Sequence, residues 1–340
     1  GDHRDLHSFP TRRFPISYVD QDGIPRMIPT DWGEDTTPSV VAVTKDGFIA
    51  GHEAKDLQAT GTENAFSAFK RYMGGTHRYY ADDKEYSPEQ LSSILLKHMK
   101  EVAESVSGKT IECAVITCPA YFDEFQRQAT KRAGVEAGLK VLDLVNEPTA
   151  ASVYYGFKNG TSGRIMTFDL GGGTFDITIL DIADGNITVK ATKGDSALGG
   201  KDWDAELCGL VSSKFQEETD ESFEDDREFM CRMIVDSEKM KRELSTSTDA
   251  KMRISYNGRS ATVTVTRDEF EDSTSYLVDK TLSICRDLLS ETGMTWKDID
   301  HVLLVGGSTR MPSIRSAIKD ESKTDVIIHE DTDLAVAKGA

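Results

Sequence analysis

Residues 165–180 of the chain read Ile-Met-Thr-Phe-Asp-Leu-Gly-Gly-Gly-Thr-Phe-Asp-Ile-Thr-Ile-Leu. Two apolar, β-rich runs flank three consecutive glycines, a pattern that predicts a β-hairpin with a glycine turn. Because glycine can adopt positive φ and has no Cβ, the peptide N–H groups of such a turn can approach an anion. Asp169 and Asp176 bracket the turn and offer carboxylates to a metal ion that accompanies phosphates, and Thr174 adds a hydroxyl. Taken alone, the stretch fits an ordinary hairpin as well as a phosphate-binding one.

The segments on either side of this hairpin alternate between strand and helix patterns. Upstream, the sequence predicts a hairpin at 16–29, strands at 40–43, 111–117 and 141–145, and helices at 52–75 (with loops), 87–106, 123–138 and from 146. Downstream, it predicts strands at 187–193, 251–256, 260–266 and 301–305, a long helical region after 200, and helices at 272–292 and from 312. The alternation indicates an α/β fold, and 340 residues indicate two lobes, with a Gly/Ser/Thr-rich joint at 158–163.

Composition excludes several kinds of partner. The net charge of −18 argues against nucleic acid, and no apolar run approaches the ~20 residues that span a membrane. The five cysteines are scattered without a metal-site spacing, which predicts buried, reduced thiols in a cytoplasmic protein. If so acidic a chain binds a nucleotide, it must do so with glycine amides, lysine side chains and a divalent cation.

The common nucleotide and hydrolase signatures are absent from the sequence. It contains no GxxxxGK[ST] loop and no GxGxxG fingerprint, which excludes P-loop NTPases and Rossmann dehydrogenases. It also lacks an HExxH zinc motif and a GxSxG nucleophile turn. The glycine turns that remain follow strands, at residues 171–173, 194–200 and 306–307.

Seven short motifs occur in a fixed order along the chain. They are Thr36-Thr37-Pro38-Ser39, Phe69-Lys70-Arg71, Pro119-Ala120-Tyr121-Phe122, Asn146-Glu147-Pro148-Thr149-Ala150-Ala151, the hairpin from Asp169 to Asp176, Gly199-Gly200-x-Asp202, and Gly306-Gly307-Ser308-Thr309-Arg310. With these motifs, the sequence from about residue 16 to 340 resembles the nucleotide-binding ATPase domain of the Hsp70 chaperone family, within the actin/hexokinase/Hsp70 superfamily.

The resemblance implies a two-lobed actin-like ATPase fold, built from duplicated ribonuclease H-like domains around a nucleotide cleft. Lobe I would span 15–160, with a small subdomain at about 26–87, and lobe II would span 161–340, with a small subdomain at about 201–272. It further implies ATP or ADP with Mg²⁺, hydrolysis to ADP and phosphate, and nucleotide-driven lobe motion in protein folding. Expected partners are a J-domain co-chaperone and a nucleotide exchange factor. Client peptides would bind only a substrate-binding domain that these residues do not contain.

The resemblance also assigns residues to the phosphate end of the cleft. Gly171, Gly172, Gly173 and Thr174 would hold the β- and γ-phosphates, with the second glycine turn, Gly199 and Gly200, alongside them. Asp169 would lie near Mg²⁺, through water, and near the attacking water. Lys70 would reach the γ-phosphate, although most lysines are surface residues. Glu147 would position water and metal, although an acid here also suits a helix N-terminus. Pro119 and Arg127 would relay the nucleotide state.

A second group of residues would hold the adenosine. Glu238, Lys241, Arg242 and Ser245 would contact base and ribose; without the resemblance, the same four residues read as a salt-bridged, solvated helix face. Gly306, Gly307, Ser308 and Arg310 would line the other side of the adenine, and Asp333 would lie close to the ribose.

Three features depart from the family pattern. The family's opening strand and phosphate loop should precede Ile16, but residues 1–14 do not supply them and are interpreted as an aberrant segment. A sheet edge is therefore expected to be exposed, with weakened nucleotide affinity and impaired turnover. Lys201 stands where an acid is usual, and the sequence stops before the family's last crossing helix and linker.

Other functions in the same superfamily remain open at this point. An actin-like protein would use the nucleotide as a structural or filament switch, and a non-hydrolysing nucleotide sensor would bind it without turnover. A sugar kinase ranks last, because no dedicated sugar site is evident and Lys70 suits hydrolysis better.

Overall fold

The computed structural model of the chain describes residues 13–30, 32–159, 162–183, 186–328 and 334–340. Within these ranges helices and strands are mixed along the chain, so the protein is a mixed α/β protein, as the sequence predicts. None of the helices in these ranges is long and apolar enough to cross a membrane.

The elements are numbered in chain order. The strands are β1 (Arg13–Val19), β2 (Pro25–Ile28), β3 (Thr36–Pro38), β4 (Val40–Thr44), β5 (Gly47–Ala50), β6 (Ala65–Ser67), β7 (Tyr79–Ala81), β8 (Lys84–Tyr86), β9 (Cys113–Cys118), β10 (Lys140–Asn146), β11 (Gly163–Leu170), β12 (Phe175–Ala183), β13 (Asn186–Asp195), β14 (Asp249–Tyr256), β15 (Arg259–Thr266), β16 (His301–Val305) and β17 (Asp325–Ile328). The α-helices are α1 (His52–Gln58), α2 (Pro88–Ser107), α3 (Glu124–Glu136), α4 (Glu147–Asn159), α5 (Gly200–Thr219), α6 (Arg227–Leu244), α7 (Arg267–Thr292), α8 (Pro312–Ser322) and α9 (Ala335–Gly339). Short 3-10 helices span Phe69–Tyr72, Trp296–Asp298 and Gly307–Arg310.

The glycine-rich hairpin forms the centre of the largest sheet. That sheet has the strand order β13-β12-β11-β16-β17. β11 and β12 are antiparallel with Leu170 opposite Phe175, so the turn comprises residues 171–174, as the sequence predicts. β16 runs parallel to β11 and ends beside it, with Asp169 opposite Val305. The turn after β16 therefore lies at the same end of the sheet as the glycine turn.

Both faces of this sheet are covered, which explains the continuous apolar runs of its strands. In β11, Met166 and Phe168 pack in one buried cluster together with α5 and α7. Ile165, on the opposite face, packs in a second cluster with Tyr155 of α4. The hairpin is thus held rigidly from both sides.

The strands before residue 160 form smaller sheets. Their orders are β2-β1-β3, β5-β4-β6, β7-β8 and β10-β9, the last of which is parallel. The hairpin predicted at 16–29 is confirmed, with Ile16 opposite Ile28. A further antiparallel pair, β14-β15, confirms the hairpin predicted around Asn257-Gly258.

Six short strands were not predicted: β3, β5, β6, β7, β8 and β17. Residues 65–67, expected within a helical region, form β6 because they pair with β4, Val40 lying opposite Ser67. β17 pairs with β16 at the edge of the largest sheet. Both are short strands whose formation depends on a partner distant in sequence.

Helix starts follow local sequence signals. Ser87 and Gln90 form a reciprocal capping box at the start of α2, and Asp123 and Gln126 form another at α3. The long helical region predicted after 200 is two helices, because Asp226 caps a new start at α6.

All five cysteines are free thiols, and four of them are buried as predicted. Cys113 is exposed at the start of β9, so the prediction of burial was wrong there.

Candidate functional site

A cavity of about 920 Å³ lies at the end of the largest sheet where the glycine turn and the turn after β16 meet. Twelve of the residues assigned from the sequence line it: Glu147, Asp169, Gly171, Gly172, Glu238, Lys241, Arg242, Ser245, Gly306, Gly307, Ser308 and Arg310. Lys70, Gly173, Thr174, Gly199 and Gly200 lie next to these residues, through contacts given below. Asp333 lies outside the described residues. Segments far apart in sequence therefore converge on one concave site.

The glycine turn has its carbonyl groups bound to the protein. The carbonyl of Gly171 accepts a hydrogen bond from the N–H of Gly200 at 2.9 Å. The carbonyl of residue 172 accepts one from the N–H of Lys201 at 3.0 Å. The third, that of Gly173, accepts from Nε of Arg71 at 2.7 Å. In a trans peptide unit the N–H is directed opposite to the C=O. The next three N–H groups are thus directed away from these partners, which is the arrangement that an anion requires.

The reason for glycine in this turn differs from the prediction. Positive φ is found at Gly306, where φ is 83°, but not at residues 171–173. The steric need for glycine lies in the neighbouring turns. A Cβ on Gly199 would come within 2.5 Å of the backbone of Gly173, and a Cβ on Gly306 within 2.5 Å of the carbonyl oxygen of Leu170. Close backbone approach, rather than a left-handed turn, selects glycine here.

Lys70 and Glu147 form a buried ion pair at the phosphate end of the site. Lys70 lies in the 3-10 helix Phe69–Tyr72 and is 9% exposed, and its Nζ contacts Oε1 of Glu147. Glu147 is 4% exposed and is the first residue of α4, so it also lies at a helix N-terminus, where an acid is favourable. The surface-lysine interpretation of Lys70 was wrong. A buried lysine held by a carboxylate is a fixed positive charge beside the turn.

Arg127 connects the strands behind this ion pair. Its Nη1 donates to Oδ1 of Asn146 at 2.7 Å and to Sγ of Cys118 at 3.2 Å. Asn146 directly precedes Glu147, and Pro119 directly follows Cys118. Arg127 therefore joins the ends of β9 and β10 to the start of α4, the position expected of a residue that transmits changes at Glu147.

Asp169 offers one carboxylate for a metal ion. It lies in β11, is 7% exposed and lines the cavity. Nowhere in the described ranges do three or more His, Cys, Asp or Glu residues cluster as a metal site. A single carboxylate suits Mg²⁺, which keeps several waters and binds through one or two carboxylates together with phosphates. These residues fit a magnesium ion that arrives with a phosphate ligand.

Helix α6 contributes charged side chains to the cavity. Lys241 is buried, and its Nζ lies 2.7 Å from Oδ1 of Asp204 while it donates to the carbonyl of Gly200 at 2.7 Å. Glu238 pairs with Arg242 at 2.6 Å within the helix. The interpretation of a solvated helix face was therefore wrong for Lys241 and Glu238, whose side chains are about 10% and 13% exposed.

Asp204 is a cavity residue that the sequence analysis missed. It lies in the first turn and a half of α5, two residues after the Gly199-Gly200-x-Asp202 motif, and this proximity was the available signal. Burial raises the pKa of Asp204 to about 6, against the opposing effect of Lys241.

Lys55 is a second residue that was missed. Its Nζ lies 2.9 Å from Oε2 of Glu238 and so joins α1 to α6 across 183 residues of sequence. Burial alone would raise the pKa of Glu238, but Lys55, Arg242 and Lys241 outweigh it and lower that pKa to about 2. Nothing local in the sequence indicates this pair.

The turn after β16 is fixed against the glycine turn. Oγ of Ser308 donates to the carbonyl of Gly171 at 3.1 Å, and Ser308 is buried. Gly306 and Gly307 precede it in the cavity wall and Arg310 follows it. The two turns thus form one continuous backbone surface.

The cavity continues between two strands beyond the phosphate end. Residues 16–19 of β1 and 113–117 of β9 both line it. In the part of the chain that the structure describes, residues 16–19 pair only with β2, and β9 pairs only with β10. Within the described ranges, each of these two strands therefore has an edge without a strand partner, which is compatible with the sheet edge that the sequence predicts to be exposed.

Known proteins match this chain over nearly its whole length. The family model for the Hsp70 protein matches residues 16–82 and 76–340. A chaperone protein DnaK from Thermotoga neapolitana is 40% identical over 334 residues, which cover 96% of this chain and 56% of the relative. The chain spans about half the length of this curated relative. With a family match over nearly its whole length, the chain belongs to the Hsp70 family.

Proposed function

We propose that this chain is the ATP-binding and ATP-hydrolysing domain of an Hsp70-type molecular chaperone that acts in protein folding. The observation that carries the proposal is the convergence of the predicted phosphate and adenosine residues on one cavity of about 920 Å³. The part of this cavity that these residues line would take the nucleotide, and the rest lies between β1 and β9. Family membership supports the same reading.

The proposed architecture is the two-lobed actin-like ATPase fold. Its support is that, among the described strands, no ladder joins a strand before residue 159 to one after residue 163. Lobe I would comprise 15–160 and lobe II 161–340, with small subdomains at about 26–87 and 201–272. Nucleotide would rotate the lobes because residues of both line the cavity.

At the phosphate end, the chain's residues act by position and charge. The amides of 172–174, directed away from the bonded carbonyls, would bind the β- and γ-phosphates. Lys70, fixed by Glu147, would place its ammonium on the γ-phosphate, and Glu147 would accept a hydrogen bond from the attacking water. Mg²⁺, held through Asp169 and the phosphates, would supply neutralisation of developing charge.

At the other end, α6 and the turn after β16 would enclose the adenosine. Glu238, carboxylate at neutral pH because its pKa is about 2, accepts hydrogen bonds from ribose hydroxyls. Arg242, Ser245, Ser308 and Arg310 also line the cavity, and the last two would face the other side of the adenine. These residues would set the preference for adenosine, with Asp333 assigned to the ribose by the resemblance alone.

Further elements of the proposal concern the protein around the site. Turnover would be impaired in this chain as given, because the edges of β1 and β9 that line the cavity have no further strand partner among the described residues and catalysis is sensitive to shifts of about 1 Å. We further propose a cytoplasmic location, a J-domain co-chaperone and a nucleotide exchange factor as partners. The family match supports the chaperone reading over the filament protein and the sugar kinase.

The test separates binding from hydrolysis. We expect the purified chain to bind ATP and ADP with Mg²⁺ in isothermal titration, and to release labelled phosphate slowly in a single-turnover assay. Lys70→Met should keep binding within a few-fold and reduce hydrolysis at least 10-fold. Since that variant leaves Glu147 buried without its cation, Lys70→Met combined with Glu147→Gln controls for misfolding. Binding without phosphate release would identify a sensor, and no binding by the folded chain would refute the proposal.

A further inference from the structure

Arg71 has no assigned role, although it belongs to the Phe69-Lys70-Arg71 motif. Its side chain is about 10% exposed, and both Nε and Nη2 donate to the single carbonyl oxygen of Gly173. A buried guanidinium that spends two donors on one backbone carbonyl fixes both the position and the orientation of that peptide unit.

The carbonyl that Arg71 holds belongs to the peptide unit between Gly173 and Thr174. Because this unit is trans, its N–H, that of Thr174, is directed opposite to the guanidinium. On another side, Gly199 packs so closely on Gly173 that a Cβ there would come within 2.5 Å of its backbone. The third glycine of the turn is therefore clamped between Arg71 and the start of α5.

Arg71 also links the glycine turn to Lys70, the residue that precedes Arg71 in the sequence. Ala68, the residue before the 3-10 helix that carries Lys70 and Arg71, has φ of 58°. This conformation is uncommon for a residue with a Cβ. Lys70 contacts Glu147, 77 residues away, while Arg71 contacts Gly173, 102 residues away. One short helix thus sets the lysine charge and the phosphate turn in a fixed relation.

A carboxylate completes the surroundings of Arg71. Oδ2 of Asp202 lies 3.9 Å from Nη2 and accepts a hydrogen bond from the N–H of Gly199 at 2.7 Å. Burial raises the pKa of Asp202, and the Gly199 hydrogen bond and Arg71 oppose that rise. The guanidinium is therefore oriented by an acid in the first turn of α5.

We propose that Arg71 is a positioning residue that aims the Thr174 amide at the terminal phosphate of the nucleotide and ties the glycine turn to Lys70. The proposal rests on the nucleotide-binding function proposed above. The proposal predicts that loss of Arg71 lowers the affinity for ATP more than the affinity for ADP. The reason is that the Thr174 amide would bind the terminal phosphate and not the adenosine.

The first experiment needs no nucleotide. Hydrogen–deuterium exchange over residues 165–180 compares the free chain with Arg71→Met and Arg71→Lys. We expect the hydrogen-bonded amides of this stretch, including the N–H of Gly171, which donates to the carbonyl of Thr174, to exchange about 10-fold faster in Arg71→Met, with Arg71→Lys between it and the original chain. Arg132→Met is the matched control, since Arg132 also places two donors on one partner, Glu89, but on the exposed surface. Unchanged exchange in both Arg71 variants would overturn the proposal.

The second experiment measures ATP and ADP affinity by titration calorimetry. Arg71→Met should lose at least 10-fold more affinity for ATP than for ADP, and any turnover should fall in kcat more than it rises in KM. Arg71→Lys should recover part of the loss. Nucleotide binding by the original chain with an unchanged ATP-to-ADP ratio in both variants would overturn the role of Arg71. Absence of binding by the original chain would instead refute the proposed function, and the exchange result would still decide whether Arg71 holds the turn.

Discussion

Replacing Lys55 by Met tests whether the ion pair between α1 and α6 holds the proposed cleft closed. Lys55 and Glu238 are 2.9 Å apart, with side chains 16% and 13% exposed, so solvent and salt screen the pair only in part. Among the residues we expect to contact nucleotide, only Glu238 is shared with this pair. Loss of Lys55 should therefore speed nucleotide release without changing the phosphate end.

The expected increase in the rate of nucleotide release follows from the pKa of Glu238. A fall from 4.5 to about 2 corresponds to about 3 kcal/mol of net stabilisation of the carboxylate. Lys55, Arg242 and Lys241 share it, and Lys55 makes the largest favourable contribution. We assign about 1–2 kcal/mol to Lys55, which corresponds to release about 5- to 30-fold faster if the pair is broken on opening.

The assay is the rate at which a fluorescent ADP is displaced by excess unlabelled ADP in stopped flow. Lys239→Met is the control, because Lys239 carries the same charge as Lys55 and lies next to Glu238 on α6, but it is 74% exposed and, among the described residues, pairs within that helix with Asp236. It should change the rate less than twofold. Combining Lys55→Met with Glu238→Gln should add less than the sum of the two effects. An unchanged release rate in folded Lys55→Met would refute the reasoning.

Four further predictions concern stability, each checked by denaturant unfolding. Gly306→Ala should lower the free energy of unfolding by about 1–3 kcal/mol, because φ is 83° and the new Cβ would meet the carbonyl of Leu170. Gly209→Ala, inside α5 with open space around it, should raise that free energy by about 0.5–1 kcal/mol; equal effects would contradict the argument. The pKa of Asp204 is raised from 3.8 to about 6, so, relative to Asp204→Asn, the original chain should lose about 3 kcal/mol of stability as pH rises from about 4 to about 6 and stay level above; parallel pH profiles would exclude this. Ser87→Ala should cost about 1 kcal/mol by removing the capping box of α2, and an unchanged midpoint would show that the cap is not needed.

The parts of the fold that the sequence predicted are those fixed by neighbouring residues. The hairpin at 165–180 follows from strand-forming residues around a turn, and the start of α2 follows from Ser87, Pro88 and Gln90. β6 and β17 escaped prediction because each consists of three or four residues whose only strong signal is a partner strand elsewhere in the chain.

The candidate site also contains residues that local sequence indicates and residues that it does not. The glycine turn and its acids were found by their own residues, and the adenosine residues only through the family resemblance. On α6, the spacing of Glu238 and Arg242 describes a surface ion pair, and that pair does exist. The sequence could not show that Lys55 reaches the same carboxylate, or that Lys241 is buried against Asp204, because these partners lie on other elements.

The three central glycines illustrate why the physical reason for a motif can lie outside it. Conformational freedom was the reason that the sequence offered, yet residues 171–173 do not use positive φ. What the turn requires is contact: Gly199 against Gly173, Ser308 on the carbonyl of Gly171, and Arg71 on that of Gly173. A Cβ on Gly199 would displace this turn, and Arg71 would lose its acceptor if the turn moved. The phosphate turn is therefore specified jointly by segments more than 100 residues apart, and its amides would keep their direction only while those segments stay in place.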